Sequence, residues 1–148
     1  MSQRFDIKVK INSERPDFRV FASYFFGDDL YNYDSNGNSI PVTSRNWTEL
    51  YMTSRQNSNL SFEIRPTDED PLILEVSSEK AENANIIAYF LARETKGEIL
   101  KDSNEIISLS SLIEKMGDFN LQERLSLADK SIWRKTTEAN PYPNLNNN

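Results

Sequence analysis

The chain contains no cysteine and no histidine. Disulfides, zinc sites, iron–sulfur clusters and haem ligation through the usual side chains are thereby excluded, because each needs thiolate or imidazole donors. Ser-His-Asp, Cys-His and His-metal hydrolysis go with them, since the thiol nucleophile and the commonest general base near neutral pH are both missing. Only oxygen-donor sites for hard cations stay open. No apolar run approaches the roughly 18 residues needed to cross a bilayer, and the opening Met1 to Lys8 has no apolar leader segment. The expectation is a cytoplasmic protein. Positive charge is in deficit as well: 17 Lys and Arg against 23 Asp and Glu give a net charge of −6. Such a chain repels phosphate backbones and anionic membranes at long range and draws basic proteins toward it, so neither nucleic acid nor membrane is expected as a partner.

What is present suits one soluble domain. The 148 residues are 37% hydrophobic and 11% aromatic, enough for a single core, and their 27% charged residues suit a wet surface. Phe5, Ile7, Val9 and Ile11 alternate with Asp6, Lys8 and Lys10, the pattern of a half-buried strand. Phe18 to Phe26 is apolar on both parities, which predicts a central strand forming a hairpin with the first. Leu30 to Val42 centres on Asn36-Gly37, read as the type I′ turn of a second hairpin, with Pro41 holding the return arm at an edge. Trp47 to Thr53 and Leu60 to Arg65 predict another strand pair, and Leu72 to Val76 a short buried strand.

The pattern then becomes helical. Ser77 or Ser78 is placed to cap a helix with Glu79 in its first turn; Ala84, Ile87, Ala88 and Leu91 form its stripe, and Gly97 ends it before a small strand, Glu98 to Lys101. That β-helix-β unit has strands able to lie parallel. Asn104 is read as the cap of a helix carrying Ile106, Ile107, Leu109, Leu112, Ile113 and Met116 up to Gly117. Asn120 caps another helix with Leu121, Leu125, Ala128 and Ile132. The fold class expected is α+β, a single domain over residues 1–148. Residues 1–76 supply an antiparallel-dominated sheet of about five to six strands, 77–137 helices packed on one face, and 138–148 an extended tail.

Few residues carry chemistry. Asp34 to Asn38 match the first five positions of a calcium loop, but Ser39 and Arg45 stand where Gly and Glu are required, so neither metal nor cofactor is expected. The densest carboxylates are Asp68, Glu69 and Asp70 in a proline-bracketed loop, together with Asp28 and Asp29. A magnesium-dependent hydrolase using the first three is one reading; a solvated acidic loop meeting a basic protein is the other. Tyr31, Tyr33 and Tyr142 are the tyrosines expected to be exposed. The partner-binding set is accordingly Asp28, Asp29, Tyr31, Tyr33, Asp34, Asp68, Glu69 and Asp70, with carboxylates steering encounter and tyrosines as buried anchors. No catalytic residue is assigned.

Trp47-Thr48-Glu49-Leu50-Tyr51, Pro66 to Leu74, Ser77-Ser78, Ala88-Tyr89-Phe90-Leu91-Ala92 and Thr95-Lys96-Gly97-Glu98 together resemble the small bacterial immunity proteins of polymorphic and contact-dependent toxin systems. Trp133-Arg134-Lys135 and Pro141-Tyr142-Pro143-Asn144-Leu145 extend the likeness, which spans residues 47–145 and leaves the N-terminal hairpins outside. The resemblance implies a non-enzymatic protein that binds a cognate toxin, often a basic nuclease, and blocks it. An accessory protein of a phage or secretion assembly is the alternative binding role.

Overall fold

The computed structural model describes residues 4–67, 72–101 and 105–145. The elements run β1 (Phe5–Lys10), α1 (Val20–Phe25), β2 (Tyr33–Gly37), β3 (Leu50–Ser54), β4 (Ser61–Pro66), β5 (Ile73–Ser78), α2 (Ala81–Thr95), β6 (Glu98–Leu100), β7 (Ile106–Ile107), α3 (Ser110–Ile113) and α4 (Leu121–Asp129). Short 3-10 turns follow at Ile132–Lys135 and Pro143–Leu145. The fold is α+β, as the sequence predicts, with a sheet of seven strands in the order β2-β3-β4-β5-β1-β6-β7. Every neighbouring pair is antiparallel. Because β5 and β6 both oppose β1 between them, they lie parallel to each other and α2 bridges them, the expected β-helix-β unit.

Period-two alternation sorts the sheet into two faces. Leu50, Met52, Phe62, Ile64, Leu74, Val76, Val9 and Ile99 are buried toward the helices, whereas Tyr51 and Arg65 on the other face are exposed. Four aromatic rings knit α1 to α2 and the sheet: Tyr24 stacks on Phe90 at 4.0 Å, and Phe21 meets Phe90 edge-on at 5.0 Å and Phe62 at 5.9 Å. The Tyr24 hydroxyl, otherwise orphaned, donates to the Ile86 carbonyl at 2.8 Å.

Several local expectations are overturned. Phe18 to Phe26 is not a central strand: residues 20–25 form α1, and all six are buried. Apolar residues on both parities also describe a short helix enclosed on every side, and here enclosure comes from α2, α4 and β4. Asn36-Gly37 is not a hairpin turn. Both residues sit in β2, whose partner is β3, with Gly37 opposite Leu50. Pro41 lies in the loop beyond, after a cis Ile40–Pro41 bond.

Ser77 and Ser78 belong to β5 rather than capping α2, which starts after Lys80, so Glu79 precedes the first turn. The Ser78 hydroxyl donates to the Ser61 carbonyl at 2.9 Å and accepts from Lys80 N at 3.2 Å. The helix ends with Lys96 in the left-handed region at φ 53°. Gly97 is needed for proximity instead: a Cβ there would lie 2.4 Å from the Lys10 carbonyl oxygen. Ile106–Ile107 pair with β6 as β7 and leave only one turn, α3, of the helix expected to follow them; Asn104 lies outside the described residues. Asn120 does cap α4, accepting from Glu123 N at 3.4 Å, but the helix stops at Asp129 and Ile132 falls in a 3-10 turn.

Candidate partner-binding surface

The stretch from Gly27 to Asp34, which joins α1 to β2 and includes that strand's first two residues, contains five of the eight residues singled out from sequence. It begins at Gly27, whose φ of +83° turns the chain out of the helix. Asp28 is exposed, and its carboxylate accepts Leu30 N at 2.9 Å, which fixes the turn. Asp29 points inward and is committed within the molecule. Its Oδ1 accepts the hydroxyls of Ser23 and of Ser131, the latter at 2.8 Å, and its Oδ2 accepts Ile132 N at 3.3 Å. The Trp133 indole N–H donates to the Asp29 carbonyl at 3.0 Å. These bonds clamp the α1–β2 connection to the turn after α4.

Held by that clamp, Leu30 stands 64% exposed. It borders a groove of about 470 Å³ that it shares with Leu127 and Ile132, with Asp28 and Lys130 at the rim. Sequence reasoning missed these three apolar residues. The available signal was Leu30 itself, a lone large aliphatic residue within the polar Gly27-Asp28-Asp29 turn.

Tyr31 and Tyr33 are not exposed. Both stack on Phe26, at 4.8 and 5.6 Å, and are half-buried. The Tyr31 hydroxyl lies 3.1 Å from Ser54 Oγ and donates to Gln56 Oε1 at 3.2 Å. Burial pushes the Tyr33 hydroxyl up to about 12. Both tyrosines therefore brace the segment from beneath, whereas Tyr142 in the tail is 47% exposed, as expected. Asp34 is on the outer face of the sheet and pairs with Arg55 at 2.6 Å.

Asp68, Glu69 and Asp70 lie outside the described residues. Of the strands on either side of them, β4 runs away from the Tyr33 end of the sheet and β5 returns toward it. Tyr33 is opposite Ser54 at one end of the sheet; Gly37, Leu50, Ile64 and Val76 align near the other end, where Pro66 and Leu74 pair. The described residues that flank them, Thr67 and Leu72, thus stand at the end of the sheet opposite Tyr33.

A buried charge cluster supports the segment from behind. Asp17 is fully buried and holds the equally buried Arg19 by two parallel bonds, 2.9 Å from Nε and 2.7 Å from Nη2. Thr136 Oγ1 donates to the same carboxylate at 2.7 Å, and the guanidinium lies 4.3 Å from the Trp133 ring centre and 5.2 Å from that of Tyr142. Together with the Asp29 clamp, it pins the C-terminal turns against α1.

Among the described residues no group of three or more carboxylates is placed to hold a metal ion, and no helix is long and apolar enough to cross a membrane. In comparisons with known proteins, no family model, curated protein or solved structure matches the chain.

Proposed function

We propose that the chain is an immunity-type binding protein of the cytoplasm, which neutralises a cognate bacterial toxin by direct protein–protein contact. The observation that carries this reading is Leu30: a large aliphatic side chain, 64% exposed, over a groove shared with Leu127 and Ile132 and edged by Asp28. Leu30 forms an apolar group with Leu127 and Ile132, and the Asp29 clamp removes conformational freedom that binding would otherwise have to freeze. Apolar anchors with charged residues at their rim, here Asp28 and Lys130, are the arrangement of a protein interface, with the net −6 favouring a basic, nuclease-like target. The internal use of Ser23, Ser131, Ser78 and Asp29 as hydrogen-bonding partners further supports a binding role over chemistry.

Co-expression with the polypeptide encoded beside this chain is the direct test. The expected result is restored growth and a stoichiometric complex burying about the standard 1,600 Å². Unrescued growth with no complex overturns the reading. Self-assembly of the isolated chain into a ring or filament moves the conclusion to a component of a larger assembly.

A further inference from the structure

The outer edge of β2 is open. Asn38 N donates to the Glu49 carbonyl at 3.2 Å and Arg55 N to the Asn32 carbonyl at 3.1 Å, so even-numbered residues along this strand direct their main-chain groups toward β3. Tyr33 and Ser35 therefore turn theirs outward, and no described residue bonds them. Edge strands are normally protected by lysine, proline, a bulge or a covering loop. Tyr33–Gly37 contains neither lysine nor proline and pairs residue for residue with β3. Only its last outward N–H is blocked, where Gly37 N donates to Asn36 Oδ1 at 2.8 Å.

Space flanks this edge on both faces of the sheet. On the helix side a groove of about 230 Å³ is lined by Phe18, Val42 and Ser35. On the outer side one of about 180 Å³ runs from Asn36 past Glu49 and Tyr51 to Glu63 and Arg65, where the Arg65 guanidinium lies 3.7 Å from the Glu63 carboxylate. Glu49 is exposed and forms no ion pair among the described residues, and Asp34 on the same face carries one free carboxylate oxygen beyond its bond to Arg55. Gly37 keeps the strand close to its neighbour, since a Cβ there would fall 2.2 Å from the Glu49 carbonyl oxygen.

We infer that the β2 edge is a strand-addition site for an extended segment of a partner protein, whose alternate residues are apolar over Phe18 and Val42 and basic beside Asp34 and Glu49. Outward main-chain groups supply affinity in register, and the two-residue alternation supplies selectivity. A second copy of this chain would bring the same carboxylates and the same net −6, so charge favours the basic segment. The inference rests on the reading of the chain as a protein-binding module and names how part of the partner is held.

The full chain, labelled with 15N, is titrated with an acetylated heptapeptide alternating Val and Lys, and with its Val/Glu counterpart. The Val/Lys peptide should shift amides across β2 and slow exchange of the Ser35 N–H; the Val/Glu peptide should do neither. Ser35→Pro removes one outward donor without touching a β3 bond, and should weaken binding about tenfold or more. Glu49→Lys, which alters no main-chain group, should weaken it similarly and keeps the test intact if the proline variant misfolds. Equal binding by folded Ser35→Pro or Glu49→Lys, shifts mapping away from β2, or dimerisation through β2 overturns the proposal. Toxin bound normally by Ser35→Pro ends the strand-addition mode and leaves the immunity reading standing. Peptide captured at β2 by a chain that protects no cell upholds the mode and removes the immunity reading.

Discussion

The Asp29 carboxylate accepts the Ser131 hydroxyl at 2.8 Å across 102 positions of sequence. Ser131 Oγ in turn accepts Trp133 N at 3.3 Å, and the Trp133 indole returns to the Asp29 carbonyl. The loop that displays Leu30 and the turn that carries Ile132 are thus one mechanical unit. Asp29→Ala leaves the Ser23 and Ser131 hydroxyls without their charged acceptor. It should cost about 2–3 kcal/mol, read as a lower urea midpoint, with Trp133 emission moving to the red before global unfolding. Unchanged stability would remove the clamp from this account.

A larger loss is expected at Asp17. Its removal strands the Arg19 guanidinium, buried and already with Nη1 unbonded, in an environment that cannot solvate it. Asp17→Ala should destabilise the fold by about 3–5 kcal/mol, and Thr136→Val, which deletes a single donor to that carboxylate, by about 1–2 kcal/mol. Asp34→Ala breaks an equally short pair with Arg55 and should produce no measurable change, because both partners are more than half exposed. Urea unfolding of the three variants in one buffer checks the order.

That contrast also explains what could be read from the sequence. Alternation in β1, the β3–β4 strand pair and the Ala84-Ile87-Ala88-Leu91 stripe of α2 are local patterns tied to burial, and each formed as expected. Phe18 to Phe26 carried no period, so burial alone could not separate strand from helix. Asn36-Gly37 has the local chemistry of a turn, but its fate was set by pairing with Leu50, a contact no short window contains. The site followed the same rule. Asp28 and Asp29 are indistinguishable as adjacent loop acids until Ser131 arrives from the far end of the chain to claim one of them.

Alkaline pH gives an independent check on the aromatic support. Tyrosine in an unfolded chain titrates near 10, and burial raises Tyr33 to about 12, with Tyr24 moved in the same direction by its deeper burial. The folded state therefore favours the neutral phenol. The stability this contributes is complete below about pH 10 and is lost as pH rises through about 12, because the unfolded chain releases its proton first. Tyr33→Phe should flatten part of that decline and remove one late-titrating group from the tyrosinate absorbance curve. A Tyr33 that ionises with the exposed tyrosines would contradict the stacking on Phe26.

The decisive comparison for the binding surface is Leu30 against Tyr31. Leu30 lies mostly in solvent, so Leu30→Asp should leave the unfolding midpoint within about 0.5 kcal/mol of the parent, the usual range for surface changes. In a complex the same substitution places a carboxylate where an apolar anchor sat, and the dissociation rate should rise by about tenfold or more. Asp28→Lys, at the rim, should act on the other rate: slower association, most evident at low salt, with dissociation little altered. Tyr31→Ala should instead lower stability first, because it removes a ring stacked on Phe26 and a hydroxyl beside Ser54. Binding kinetics at two ionic strengths, set beside urea unfolding of the same proteins, separate the three. If Leu30→Asp left both rates unchanged, the groove with Leu127 and Ile132 would not be the contact surface, and the open β2 edge would be left to carry recognition alone.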